Sequence, residues 1–139
     1  MKEDELIRLA EQARETAYAP YSGYTVGAAL LAADGTVTLG CNVENASYGA
    51  TICAERVALT RAVSEGKRDF VAIAIVGGKR DQSAGSFFFP CGICRQVLRE
   101  FCDDDFRVLV VRDGDVICQT LGELLPSGFT SDAMKELLP

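Results

Sequence analysis

Cys53, in the run C-A-E-R, and the pair Cys91/Cys94, in P-C-G-I-C, constrain this chain more than any other feature. Protein-bound zinc is tetrahedral, and a set of three protein ligands leaves the fourth position open for water. The three thiols occupy two well-separated segments, so a fold in which they share one ion must bring those segments together. Such a site reads as a catalytic metal centre more than as a structural staple. Cys91 and Cys94 are three residues apart at a helix start opened by Pro90, so both thiols can face one ion. Taken alone, that pair equally fits a redox dithiol or two buried cysteines. Cys53, at the start of a different helix, tips the reading toward metal, because a helix N-terminus favours the thiolates that zinc requires.

Three thiolates on a divalent cation carry a formal charge of about -1, which weakens the ion as a Lewis acid. Arg56 and Arg95 stand beside the two helix starts, and a guanidinium bonded to ligand sulfurs would offset that charge. The plain alternative is a pair of solvated arginines. Glu55, two residues after Cys53, is the candidate proton shuttle at the open position, although an acid in the first turn of a helix is also an ordinary stabilising placement. The chain has no histidine, so proton transfer falls to Cys, Glu, Asp, Lys or Tyr.

Composition narrows the partners. A chain of 139 residues that is 48% hydrophobic and 24% charged fits one globular domain, taken as 1–139. The net charge of -6 disfavours nucleic acid, whose binding rests on a basic footprint, and favours a small uncharged substrate. The first nineteen residues are heavily charged and the longest strongly apolar run covers 71–76, so neither a signal peptide nor a membrane span is expected. Six cysteines in such a chain read as thiols and metal ligands in a cytoplasmic setting.

Leu6, Ala10, Ala13 and Ala17 recur at helical spacing and predict a first helix ending near Ala19-Pro20. Segments 26–31 and 36–44 flank Asp34-Gly35 and predict an antiparallel hairpin whose turn uses positive φ. Alternation in the second strand puts Asn42 and Glu44 on one face and Cys41 on the core face. A buried helix over 53–64 follows, closed by Glu65-Gly66, and then a central strand over 71–76 covered on both sides. A loop over 77–90 leads into a helix carrying Cys94, Val97, Leu98 and Phe101. Segments 108–111 and 116–120, joined at Asp113-Gly114, form another strand pair, and a short helix begins after Thr130-Ser131-Asp132. This order implies a three-layer α/β/α domain built on a mixed sheet of about five strands.

Zinc nucleobase deaminases carry H-x-E, or a cysteine in place of the histidine, followed by P-C-x-x-C, with the glutamate as general acid and base. C-A-E and P-C-G-I-C satisfy that pattern in order. Through YSGYTVGAALL, GCNVENASYG, CAERVAL, PCGICRQVLREF and ELLPSGF, spanning about residues 21–129, the chain resembles the cytidine deaminase family, specifically its small homotetrameric type with three cysteine ligands. The resemblance implies deamination of cytidine and 2'-deoxycytidine in pyrimidine salvage. It implies one Zn2+ per subunit on Cys53, Cys91 and Cys94, activating water for attack at C4, with Glu55 as proton shuttle. It assigns Asn42 and Glu44 to the ribose hydroxyls, Tyr24 to the nucleoside pocket and Phe129 to stacking from a neighbouring subunit. Ala46 and Tyr48 would reach a neighbour's site, and the Ala54 amide would hold the pyrimidine edge.

Each of these residues has a plainer reading: Asn42 and Glu44 as strand polar residues, Tyr24 and Phe129 as core aromatics. The chain departs from the family at Tyr24, where Phe is usual, and at Phe89, where Ser or Thr is usual. Phe87, Phe88 and Phe89 read as packing or interface. A blasticidin S deaminase shares the zinc chemistry, but NVENAS and Arg56 favour the nucleoside enzyme. A non-catalytic zinc module, with Cys41, Cys102 or Cys118 as fourth ligand, leaves Glu55 and the ribose pair without a purpose.

Overall fold

The structure, a computed structural model, describes residues 1–85 and 89–139. Phe87 and Phe88, expected to pack, lie outside the described residues. Five strands form one mixed sheet in the order β2-β1-β3-β4-β5. They are β1 (Tyr24–Ala32), β2 (Val37–Cys41), β3 (Phe70–Lys79), β4 (Arg107–Arg112) and β5 (Asp115–Thr120). Only β3 and β4 run parallel, and α3 (Gly92–Phe101) makes the crossover between them. On one face lies α1 (Glu3–Ala13), whose Leu6 and Ala10 pack on Ala29, Leu31, Ala72, Ala74 and Val76. On the other, α2 (Ala54–Ser64) and α3 bury Ala58, Leu59 and Leu98 against Leu30, Ile73, Ile75 and Val108. Alternate β1 and β3 residues thus feed two cores, which gives the three layers the sequence implied.

Small residues set how close the layers come. A Cβ at Gly27 would stand 2.0 Å from the Ala10 carbonyl oxygen, and one at Gly40 would stand 2.4 Å from the Ala58 nitrogen. Both helices therefore rest directly on strand backbone.

Several boundaries differ from expectation for tertiary reasons. α1 stops at Ala13 and a single 3-10 turn follows over Arg14–Thr16. Tyr18 is pulled into an extended bridge with Val43, donating to the Asn42 carbonyl at 3.0 Å, and an extended residue cannot stay helical. β2 ends at Cys41 rather than at residue 44, because the Asn42 side chain bonds to β1 itself: Oδ1 accepts from Val26 N at 2.8 Å and Nδ2 donates to the Tyr24 carbonyl at 2.9 Å. Asn42 and Glu44 do share a side, and it is the buried one, while Cys41 is half-buried under the Thr16 hydroxyl and Val43 is exposed. β3 reaches Lys79, into the expected loop, and Val71 at its start is exposed.

The two Asp-Gly turns diverge. Asp113 and Gly114 both take positive φ, whereas in the first hairpin only Gly35 does. There Asp34 instead accepts from the Thr36 amide and hydroxyl. A further short helix, α4 (Leu121–Leu124), starts from a capping box in which Thr120 and Glu123 satisfy each other, and α5 (Ser131–Leu137) ends the chain.

Candidate metal centre and active site

Cys53 is the N-cap residue of α2 and Cys91 that of α3. Two helices packed side by side on one face of the sheet thereby deliver their N-termini, with their unpaired amides, to the same place. The Sγ atoms of Cys53, Cys91 and Cys94 all lie within 4.8 Å of one another, and those of Cys91 and Cys94 are 3.5 Å apart. With Zn–S bonds of about 2.3 Å, tetrahedral geometry separates ligand sulfurs by about 3.8 Å, so the trio fits one zinc ion. Cys94 is fully buried, Cys53 half-buried and Cys91 exposed, which leaves the centre open on one side.

The charge balance also fits a cation. Shared hydrogen bonding with Cys94 and the nearby Arg56 guanidinium lower the Cys53 thiol to about 5. Hydrogen bonding to Cys53 and burial push Cys94 strongly the other way. Three thiols this close cannot all ionise without a positive charge among them. Arg56 lies against Cys53 and Cys94, donates to the Thr51 carbonyl at 3.2 Å, and keeps a buried Nε without a hydrogen-bond partner. A thiolate-rich centre is a suitable neighbour for that orphaned donor. Arg95 behaves differently. Its Nε donates to the Pro90 carbonyl at 2.7 Å and its guanidinium to the Leu124 carbonyl at 2.7 Å, so it braces the backbone before Cys91.

Glu55 follows in the first turn of α2 and is 5% exposed. Burial, reinforced by the Cys53 charge, raises its carboxyl to about 7. A divalent cation held by the sulfurs would act in the opposite direction.

A cavity of about 220 Å³ lies over this centre, lined by Cys53, Ala54, Glu55 and Cys91. Asn42 and Phe89 also line it, and Val26 and Thr51 complete the wall. It is smaller than the roughly 300–1,000 Å³ of drug-sized ligand sites and suits a small substrate. Ala54 brings a helix-start amide with no intrahelical acceptor.

The remaining expected site residues stand apart from this cavity's lining. Glu44 is buried, with Oε1 accepting from Tyr21 N at 2.9 Å and Ser22 N at 3.1 Å and Oε2 accepting from the Ser22 hydroxyl. Those bonds, the Ser22 hydroxyl first, hold its carboxyl below the usual range. Tyr24 and Ala46 are exposed, Tyr48 is 67% exposed with its ring edge-on to Tyr21, and Phe129 is 54% exposed. Val26, Thr51 and Ser22 were not singled out from sequence. Pairing of β1 with the chain after β2 brings Val26 to the cavity, which no local pattern marks, whereas Thr51 comes with Cys53 two residues on and Ser22 is bonded to Glu44 outside the lining. Among the described residues Cys41, Cys102 and Cys118 lie outside the sulfur cluster, and burial pushes the Cys102 thiol up to about 12. A closed four-sulfur site is therefore not what the fold builds.

An open three-sulfur centre with a buried carboxylate beside it, on an α/β/α sheet, defines a metal-dependent hydrolase. The family model for the cytidine and deoxycytidylate deaminase zinc-binding region matches residues 1–110. A cytidine deaminase from Halalkalibacterium halodurans is 52% identical over 132 residues, covering 94% of this chain and 96% of the relative. The crystal structure of cytidine deaminase from Burkholderia pseudomallei superposes with a TM-score of 0.84 at 48% identity, covering 93% of this chain and all of that one. A blasticidin-S deaminase from Bacillus cereus is 33% identical over 109 residues, 76% of each chain. The chain belongs to the cytidine and deoxycytidylate deaminase family.

Proposed function

We propose that this protein hydrolyses cytidine and 2'-deoxycytidine to uridine and 2'-deoxyuridine, one water consumed and one ammonia released per turnover. The observation that carries the reading is Glu55, buried in the same small cavity as Cys53, Cys91 and Asn42. Zinc, one ion per subunit on Cys53, Cys91 and Cys94, supplies Lewis acidity that lowers the pKa of water when bound. Glu55 takes one proton from the attacking water and passes it to pyrimidine N3, then takes the remaining proton from the new C4 hydroxyl and delivers it to the departing amine as the C4–N bond breaks.

The Ala54 amide holds the pyrimidine edge. Asn42 retains one amide hydrogen and acceptor capacity beyond its two bonds to β1, enough for a sugar hydroxyl. Glu44 fixes the Tyr21-Ser22 turn and offers its remaining lone pairs to the same sugar. The cavity is short of aromatic walls, whereas Tyr24, Tyr48 and Phe129 are exposed, which supports a homotetramer in which neighbours supply Tyr48, Ala46 and Phe129. Residues 1–139 form one catalytic domain acting in cytoplasmic pyrimidine salvage. No helix among the described residues is long and apolar enough to cross a membrane.

The greater likeness to cytidine deaminases, 52% against 33%, favours cytidine over blasticidin S as substrate. The test is turnover of both compounds, followed by ultraviolet absorbance, for the zinc-loaded enzyme and Glu55→Ala. Cytidine should be the faster substrate, and Glu55→Ala should lose at least about a hundredfold while keeping its zinc. Undiminished turnover by the variant would overturn the proton-shuttle role.

A further inference from the structure

We propose that the Phe89 side chain is a specificity-determining wall at the reacting end of the cavity. It selects cytidines that carry no extra group on the exocyclic amine or on the neighbouring ring carbon C5. The proposal rests on the cytidine reading above and adds a residue that the proton chemistry does not use.

Phe89 lines the cavity together with Glu55, Cys53 and Cys91. The carbon that exchanges amine for oxygen must face Glu55 and the sulfurs, so C4, its amine and adjoining C5 occupy that end of the space. Phe89 cannot lie far from it, since two residues of chain place its Cα within about 7 Å of that of Cys91. Phe89 is half-buried, and the same residue packs against the core cluster that α2 and α3 share and lines the cavity.

The ring is also held in place. Pro90, fully buried, fixes the next backbone angle, and Arg95 clamps its carbonyl at 2.7 Å while reaching the Leu124 carbonyl at 2.7 Å. A phenyl ring supported by packed core on one side and by a pinned backbone cannot retreat for one additional methyl group.

The test compares kcat/KM for cytidine, N4-methylcytidine, 5-methylcytidine and 2'-deoxycytidine in the zinc-loaded wild type, Phe89→Ala and Phe89→Leu. Phe89→Ala should raise the efficiency ratio of at least one methylated cytidine over cytidine by about tenfold or more, the scale on which an apolar wall discriminates one methyl group. Phe89→Leu should give a smaller rise, and it provides the reading if the alanine variant fails to fold. The 2'-deoxycytidine ratio, which reports the sugar end, should move less than about threefold. Methylated ratios unchanged from wild type, or a deoxy ratio that shifts as far as they do, would overturn the wall. A wild type inactive on cytidine would instead sink the cytidine reading itself, so the two failures are distinguishable.

Discussion

At the scale of single residues, Asn42 and Glu44 show how a residue proposed to bind substrate can also be architecture. Each was legible as a polar residue on a shared side of a strand. That each would be buried and bonded to β1 or to the Tyr21-Ser22 turn was not, because those partners lie some twenty residues away. The Glu44 carboxylate accepts from two amides and a hydroxyl, and its pKa is depressed in the folded state. A group with a depressed folded pKa adds stability above its unfolded pKa of roughly 4.3 and loses it as pH falls through the folded value. Glu44→Gln should therefore lower the urea midpoint at pH 7, and its deficit should shrink by pH 3. A deficit that does not change with pH would mean that the charge contributes nothing. Glu55 is the reverse case, a carboxylate raised by burial, and the sequence placed it by spacing from Cys53 alone.

At the scale of elements, the helices and the sheet were largely readable from periodicity, and the ends were not. α1 was expected to run six residues further, since nothing local between Ala13 and Pro20 forbids a helix, and β2 was expected to continue through Glu44. The Tyr18–Val43 bridge decided the first, and the bonding of the Asn42 side chain to β1 decided the second. The glycines of β1 and β2 carry an element-scale consequence that composition cannot reveal. At Gly27 an added methyl would meet the Ala10 oxygen in α1 and the Arg14 nitrogen in the turn after it, both backbone atoms that cannot rotate away. Gly27→Ala should cost at least about 2 kcal/mol by forcing α1 off the sheet. Equilibrium urea unfolding measures this, and a loss below about 0.5 kcal/mol would show that the helix yields easily.

At the scale of the whole molecule, the metal centre exists because α2 and α3 pack on the same face with their N-termini together. Neither segment holds the cluster alone: Cys91 and Cys94 give two sulfurs, and the segment of Cys53 gives the third and the buried Glu55 carboxyl. The same view leaves Tyr48 and Phe129 exposed, away from a cavity whose aromatic lining among the described residues is Phe89. Sedimentation of the zinc-loaded protein should give a particle of four 14.9 kDa chains, and a single-chain mass with full activity would refute sharing of these residues. The sequence by itself determined the ligand chemistry, the carboxylate, the element order and the family, because spacing along a helix start is local and survives in one dimension. The tertiary structure alone decided that Arg56 meets the sulfurs while Arg95 braces Pro90, that Asn42 substitutes for a strand neighbour, and that Phe89 lines the cavity. These depend on which surfaces approach across the sheet, and that approach is set by close packing of distant segments.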